Sequence, residues 1–204
     1  MVKLLLWIVV AWLGYMFVEE FLSYLFDMMG IDTNSQDDLF DGALLPLMII
    51  SVCILAPLGE EAVFRGAFER KLLETDRSPW IAIVVSALAF GLMHMDPFVS
   101  CLTFLMGILM GWIYYRTRNI WLTVFCHALN NTMATVLDFL IDDVEIIPET
   151  YTESEDPLVY FLISFAVGLA LLYLGVRKIA KTIDRDEELM HSSEREAESD
   201  ATIY

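Results

Sequence analysis

The sequence predicts an all-α membrane protein, a polytopic bundle of about six transmembrane helices with both termini in the cytoplasm. Of its 204 residues, 57% are hydrophobic, and the mean hydropathy is +0.59. A soluble domain has about 45–50% apolar residues, so a soluble globule is excluded. Charged residues make up only 20% of the chain and separate apolar runs of about 17 to 24 residues. Runs of that length cross the roughly 30 Å of hydrocarbon in a bilayer.

The elements of this bundle follow the apolar runs in chain order. The first run follows Lys3, and no small-residue cleavage site precedes Glu19 and Glu20, so it is interpreted as an uncleaved span and not as a signal peptide. The third and fourth runs are separated only by Asp96 and Pro97. The six predicted spans are Leu4 to Phe26, Ala43 to about Phe68, Pro79 to Met95, Pro97 to Tyr115, Ile120 to Ile141, and Leu158 to Val176.

Basic residues predict the orientation, because Lys and Arg stay on the cytoplasmic side of a membrane. Every basic residue except Arg65 lies before the first span or after the second, fourth or sixth span. The loops 27–41 and 142–156 contain acidic residues and no Lys or Arg. This distribution predicts a multi-pass cell-membrane protein whose polar cavity opens to the cytoplasm.

Charge and cysteine content exclude two further classes. The net charge is −17, so the basic surface that binds nucleic acid is missing. All three cysteines lie in apolar runs, which predicts no disulfide framework. We expect one transmembrane domain over 1–183, with a motif core at 46–140. The tail 184–204 carries eight acidic residues and is predicted to be disordered.

Several ionisable side chains lie where lipid makes them costly. An ionisable group at membrane depth costs about 2.5 to 3.5 kcal/mol on insertion scales, so each needs a reason. Asp138 is expected to be structural and His191, in the acidic tail, to be solvated. The other polar side chains that stand out at membrane depth are Glu60, Glu61 and Arg65 on span two, His94 on span three, and His127 and Asn131 on span five.

Helical spacing groups these residues. Glu61 and Arg65 are four residues apart, which predicts an ion pair along one face of the helix. His127 and Asn131 have the same spacing and are expected to face the same space. Glu60 is rotated about 100° from Glu61, so the two carboxylates can have different roles. Gly107 and Gly111 form a GxxxG pattern, for which close packing against a neighbouring helix is favoured over a dimer contact.

These groups support two kinds of chemistry. A carboxylate and an imidazole in a cavity with little water can deprotonate water for attack on a peptide carbonyl. A second imidazole and an amide can hydrogen-bond the developing oxyanion. The candidate set Glu60, His94 and His127 could instead hold zinc, so zinc is a possible cofactor. No HExxH or CxxC spacing is present to decide between the two.

Three motifs resemble those of a known family. Glu60-Glu61-x-x-x-Arg65, Phe90-x-x-x-His94 and His127-x-x-x-Asn131 occur in that order on separate spans. They are similar to the motifs of the CPBP family, which contains the type II CAAX prenyl endopeptidases, bacteriocin-immunity proteins and lysostaphin-resistance proteins. With six spans the chain looks like a minimal prokaryotic member.

The resemblance implies an intramembrane endopeptidase that cleaves a membrane-associated protein or a lipidated peptide. It implies that Glu60 activates water with His94, that His127 and Asn131 form the oxyanion side, and that Arg65 holds Glu61 and the helix. It leaves open whether a metal takes part, and it does not by itself imply a prenylated CAAX substrate.

Two other functions use the same residue types. A catalytically silent scaffold or immunity protein would share the fold, although loss of a motif residue would be typical of it and none is lost. A proton-coupled transporter also uses intramembrane Glu and His, but six spans without an inverted repeat disfavour it.

Overall fold

The computed structural model describes most of the chain. Every regular element in the described part is a helix, which confirms the all-α prediction. Asp138 and His191 lie among residues whose side chains are outside the description, so their predicted roles stay predictions. The described residues are 1–31, 33, 44–75, 77–142 and 157–201, without the side chains of 136–142, 190, 191 and 193–201.

Six helices form the bundle in the described part of the chain. We label them in chain order as α1 Val2–Met28, α2 Leu45–Leu73, α3 Pro79–Leu92, α4 Pro97–Thr117, α5 Ile120–Asp142 and α6 Pro157–Ala201. Within the described residues, α1, α2, α4 and the part of α6 up to Leu189 are long and apolar enough to cross a membrane. The chain is therefore a multi-pass membrane protein.

Glycines hold α1 tightly against α6. A Cβ at Gly14 would clash with the Leu172 nitrogen, and one at Gly175 would lie 2.6 Å from the Ala11 nitrogen. At Gly168 it would lie 2.8 Å from the Phe17 Cβ. Small residues of this kind let two helix backbones approach closely, as is common in membrane bundles. The first and last helices therefore form one closely packed pair.

The third helix is shorter than predicted. It ends at Leu92 and has 14 residues, a length of about 21 Å, whereas the predicted span continued to Met95. A turn follows in which Met95 has a φ of 56°, and the Asp96 side chain accepts a hydrogen bond from the Val99 N–H at the start of α4. His94 consequently lies in the turn after α3 and not within a helix.

The GxxxG residues of α4 serve packing between helices of the bundle. A Cβ at Gly107 would lie 3.0 Å from the Ala87 Cβ on α3. At Gly111 it would lie 2.8 Å from a carboxylate oxygen of Glu69 on α2. The two glycines therefore allow α4 to approach both α2 and α3.

Helix α2 is not a regular α-helix. It is π-helical over Ile49–Leu55 and again over Ala62–Glu69, with the α-helical stretch Ala56–Glu61 between them. Pro57 explains the first irregularity, because proline has no N–H and its ring disturbs the preceding turn. In a π-turn each N–H bonds to the carbonyl five residues earlier, and such turns are frequent at functional sites.

The last helix extends further than its apolar run. It continues from the predicted span through Ala201, so the backbone of 184–201 is helical, whereas its composition predicted disorder. Arg116 at the end of α4 contacts Asp184 at 2.5 Å, which ties the start of this extension to the bundle. The division into one domain and a tail stays a prediction.

Candidate active site

A fully buried ion pair lies on α2. Glu61 and Arg65 are both 0% exposed, and Arg65 Nη1 donates to Glu61 Oε1 over 2.9 Å. Arg65 Nη2 donates to the Gly107 carbonyl of α4 over 3.1 Å, and the guanidinium lies 4.8 Å from the centre of the Phe90 ring. Arg65 therefore joins α2 to both α4 and α3 at a point away from water.

His127 on α5 lies between the two adjacent glutamates of α2. Its Nδ1 is 3.0 Å from Glu61 Oε1, and its Nε2 is 3.7 Å from Glu60 Oε2. The side chain of Glu60 is 26% exposed, whereas that of Glu61 is fully buried. Of these two carboxylates, Glu60 is thus the one that the surrounding helices leave partly uncovered.

The partners of His127 fix its tautomer. Glu61 is paired with an arginine, and an ionised carboxylate can only accept hydrogen bonds, so the proton between them belongs to His127 Nδ1. Arg65 contacts Glu61, and Glu61 contacts Nδ1 of His127. The Nε2 atom of His127 therefore faces Glu60. A charged group behind an imidazole that is itself held by a hydrogen bond is the arrangement that orients a histidine in many hydrolases.

Asn131, one turn after His127, is anchored to the irregular part of α2. Its Nδ2 donates to the Val52 carbonyl over 2.9 Å. At the end of the π-helical stretch Ile49–Leu55 of α2, the Ala56 N–H donates to the Ser51 carbonyl. The next bond of that series would run from residue 57 to Val52, but Pro57 has no N–H. Pro57 therefore leaves the Val52 carbonyl free, and Asn131 occupies it.

His94 contacts the end of its own helix. Its Nδ1 lies 3.1 Å from the Phe90 carbonyl, which can only accept, so Nδ1 carries the proton and Nε2 is an acceptor. The Phe90 ring packs edge-on against His94, at 5.3 Å between ring centres, and against His127, at 5.5 Å. Phe90 therefore packs against both imidazoles.

The structure brings Glu60 next to His127 on α5. The resemblance implied that Glu60 and His94 act together on one water molecule, which needs no direct contact between the two side chains, so that role stays a prediction. Among the described residues, none of the hydrogen bonds or ion pairs joins His94 to Glu60. The rotation of α5 relative to α2 decides the pairing of Glu60 with His127, and rotation cannot be read from spacing within one helix.

The zinc candidates Glu60, His94 and His127 do not fit a metal site. Within the described part of the chain, no three His, Cys, Asp or Glu side chains are close enough together to hold a metal ion. We therefore derive no chemical step through zinc.

Sequence reasoning missed a third buried charged residue of α2. Glu69 is 0% exposed, and neither of its oxygens has a hydrogen-bond partner among the described residues. It lies four residues after Arg65, so Glu61, Arg65 and Glu69 form a stripe with a spacing of four. That spacing was the available signal. It was overlooked because Glu69 directly precedes the basic pair Arg70 and Lys71, which marks the predicted membrane boundary.

A family comparison decides what this part of the chain is similar to. Residues 42–133 match the family described as type II CAAX prenyl endopeptidase, Rce1-like. This part of the chain is therefore similar to the Rce1-like family. The match covers all three motifs, so the resemblance to CPBP proteins stated from those motifs is confirmed. Helices α1 and α6 lie outside the Rce1-like segment.

Curated relatives agree with the Rce1-like match. YdiL of Bacillus subtilis, provisionally named a membrane peptidase, is 32% identical over 114 residues, which are 56% of this chain and 46% of YdiL. MroQ of Staphylococcus aureus, named a membrane-embedded CAAX protease, is 26% identical over 130 residues, or 61% of this chain and 53% of MroQ. YaiH of Lactococcus lactis, a UPF0177 protein, is 32% identical over 96 residues, or 46% of this chain and 39% of YaiH.

The chain spans about half the length of these curated relatives. No solved structure matches it. The family evidence thus supports a CAAX-type membrane protease-like protein.

Proposed function

We propose that the chain is an intramembrane endopeptidase that hydrolyses a peptide bond of a membrane-associated protein or a lipidated peptide. The observation that carries the proposal is the position of His127, whose Nδ1 is 3.0 Å from the buried Glu61 and whose Nε2 is 3.7 Å from the partly exposed Glu60. A carboxylate that the helices leave partly uncovered therefore lies beside an imidazole that is already oriented.

In the proposed reaction Glu60 accepts a proton from water as the water oxygen attacks the peptide carbonyl carbon. His94, whose Nε2 is an acceptor, holds the second hydrogen of that water. When the peptide bond breaks, the protonated Glu60 gives its proton to the leaving amine. Protons balance across the two steps, and no external co-reactant is needed.

The oxyanion forms on the side of His127 and Asn131. An amide nitrogen carries two hydrogens, so Asn131 can donate one to Val52 and the other to the oxyanion. His127 donates through Nε2 when it is protonated, and the Glu61 carboxylate behind it stabilises that charge. The cavity is proposed to open to the cytoplasm, as the distribution of basic residues predicts.

The test is cleavage of a membrane-anchored peptide library by the purified protein in liposomes, read by mass spectrometry. Glu60→Gln keeps the shape of the side chain but removes the base, so cleavage should fall by at least about 100-fold. Its melting temperature should stay close to that of the wild type, because Glu60 is partly exposed.

Glu74→Gln is the matched control. Glu74 lies just beyond α2, where a hydrogen bond from Lys71 lowers the pKa of its carboxyl group, and it is far from the site in sequence. This variant should cleave normally. A chelator should leave cleavage unchanged, because the candidate ligands do not form a metal site. A folded wild-type protein that cleaves nothing would overturn the proposal and favour a catalytically silent scaffold or immunity protein.

A further inference from the structure

One hydrogen bond connects the site to a helix outside the Rce1-like segment. The indole Nε1 of Trp12 on α1 donates to Asn130 Oδ1 on α5 over 3.1 Å. Asn130 is the direct neighbour of Asn131, and Trp12 is only 4% exposed. We propose that Trp12 is a positioning residue that fixes the rotation of α5 and thereby aims His127 and Asn131 at α2. This inference rests on the proposed function.

Trp12 is itself held in a fixed position. Gly14, two residues later, packs so closely on α6 that a Cβ there would meet the Leu172 backbone. One turn beyond Trp12, the Tyr15 hydroxyl donates to the Leu102 carbonyl of α4 over 3.1 Å. Helix α1 is therefore packed closely against α6 and hydrogen-bonded to α4. These contacts hold the indole N–H of Trp12 in place where it meets α5.

The adjacent side-chain amides of Asn130 and Asn131 on α5 form hydrogen bonds with two different helices. Asn130 accepts from α1, and Asn131 donates to the Val52 carbonyl of α2. Side chains of adjacent helical residues point about 100° apart, so the bond to α1 restrains the rotation of α5 from a different direction than its contacts with α2 do. Trp12 and Asn130 each lie ten residues into their helices, which places both at about 15 Å along the helix axis.

The site depends strongly on that rotation. Side-chain ends lie about 5 to 6 Å from a helix axis, so a turn of about 10° moves them by about 1 Å. A displacement of about 1 Å in a catalytic group can cost up to about 100-fold in rate. Loss of the bond to α1 should therefore lower kcat more than it raises KM.

A close contact between α2 and α5 allows this rotation to be measured by disulfide cross-linking. Cys53 Sγ on α2 is 3.7 Å from Thr135 Oγ1 on α5, and Thr135 follows Asn131 by four residues on the same face. Thr135→Cys, in a chain whose Cys101 and Cys126 are replaced by alanine, can form a disulfide with Cys53. The rate of that cross-link under mild oxidation measures the alignment of α5 without any cleavage assay.

The experiment compares Trp12→Phe with the matched control Trp7→Phe. Phenylalanine keeps an aromatic ring but removes the N–H. Trp7 lies on the same helix, where its ring contacts Lys178 at 5.4 Å. Trp12→Phe should lower the cross-linking rate severalfold and kcat by about tenfold or more, whereas Trp7→Phe should change neither. Asn130→Leu removes the same bond from the α5 side and should act like Trp12→Phe, which covers the case that Trp12→Phe fails to fold.

The double variant Trp12→Phe, Asn130→Leu separates positioning from simple stability. It removes both unpaired polar groups, so the melting temperature should recover, whereas kcat should stay low because the bond to α1 is still absent. Recovery of kcat together with the melting temperature would overturn the inference. So would an unchanged cross-linking rate, or an unchanged kcat, in Trp12→Phe and Asn130→Leu. If the wild type cleaves nothing but Trp12→Phe still slows cross-linking, the proposed function fails and the control of α5 by Trp12 stands.

Discussion

At the scale of single residues, the site depends on how a buried arginine is neutralised. Arg65 contacts one carboxylate, one backbone carbonyl and the face of one aromatic ring, and all of these contacts are shielded from water. A buried charge that loses its partner is expensive because nothing else solvates it. Glu61 therefore has two tasks, since it neutralises Arg65 and also holds His127.

We predict that Glu61→Ala and Arg65→Ala both destabilise the protein by about 3–5 kcal/mol, because each strands a buried charge. The double variant should lose less than the sum of the two single losses, since the second change removes the stranded partner. Melting temperature and yield in detergent measure this. Additive losses would show that the two side chains act independently.

At the scale of helices, the irregularity of α2 determines where α5 is anchored. Pro57 removes the donor that the Val52 carbonyl would otherwise have within the helix, and Asn131 of α5 supplies one instead. A local property of one residue type thus creates a contact between two helices. Pro57 also explains why the stretch that carries Glu60 and Glu61 is preceded by a π-helical turn and not by a regular α-helical turn.

We predict that Pro57→Ala raises or preserves the melting temperature but lowers cleavage. Alanine is a far better residue in a helix interior, and its N–H can bond the Val52 carbonyl, so Asn131 loses its anchor. Pro46→Ala is the control, because a proline at the start of a helix costs little. Measured kcat and melting temperature for both variants decide the matter, and normal cleavage by Pro57→Ala would contradict this account.

Patterns along one helix predicted much of this arrangement. Apolar runs gave the six helices, and the spacing of four residues brought Glu61 to Arg65 and placed His127 with Asn131. The pattern gave no information on the pairing of Glu60 with His127, because that contact depends on the relative rotation of α2 and α5. The end of α3 before His94 was also not predicted, since Met93 and Met95 are as apolar as the helix itself.

At the scale of the whole molecule, three chain segments meet on one face. One cavity is lined by Met1 before α1, Arg116 at the end of α4, Asn119 between α4 and α5, and Asp186 on α6. These are the segments that the basic residues assign to the cytoplasm. The structure therefore places these segments on a common side of the bundle.

We predict that this common face is cytoplasmic, because Lys and Arg flank it while the loops 27–41 and 142–156 have none. In a chain whose Cys53, Cys101 and Cys126 are replaced by alanine, Asp27→Cys should react with a membrane-impermeant maleimide in intact cells. Arg77→Cys should react only after the cells are permeabilised, which also controls for accessibility. The cysteine-free chain gives the background. Labelling of Arg77→Cys but not of Asp27→Cys in intact cells would reverse the orientation, and the candidate site would then be reached from outside.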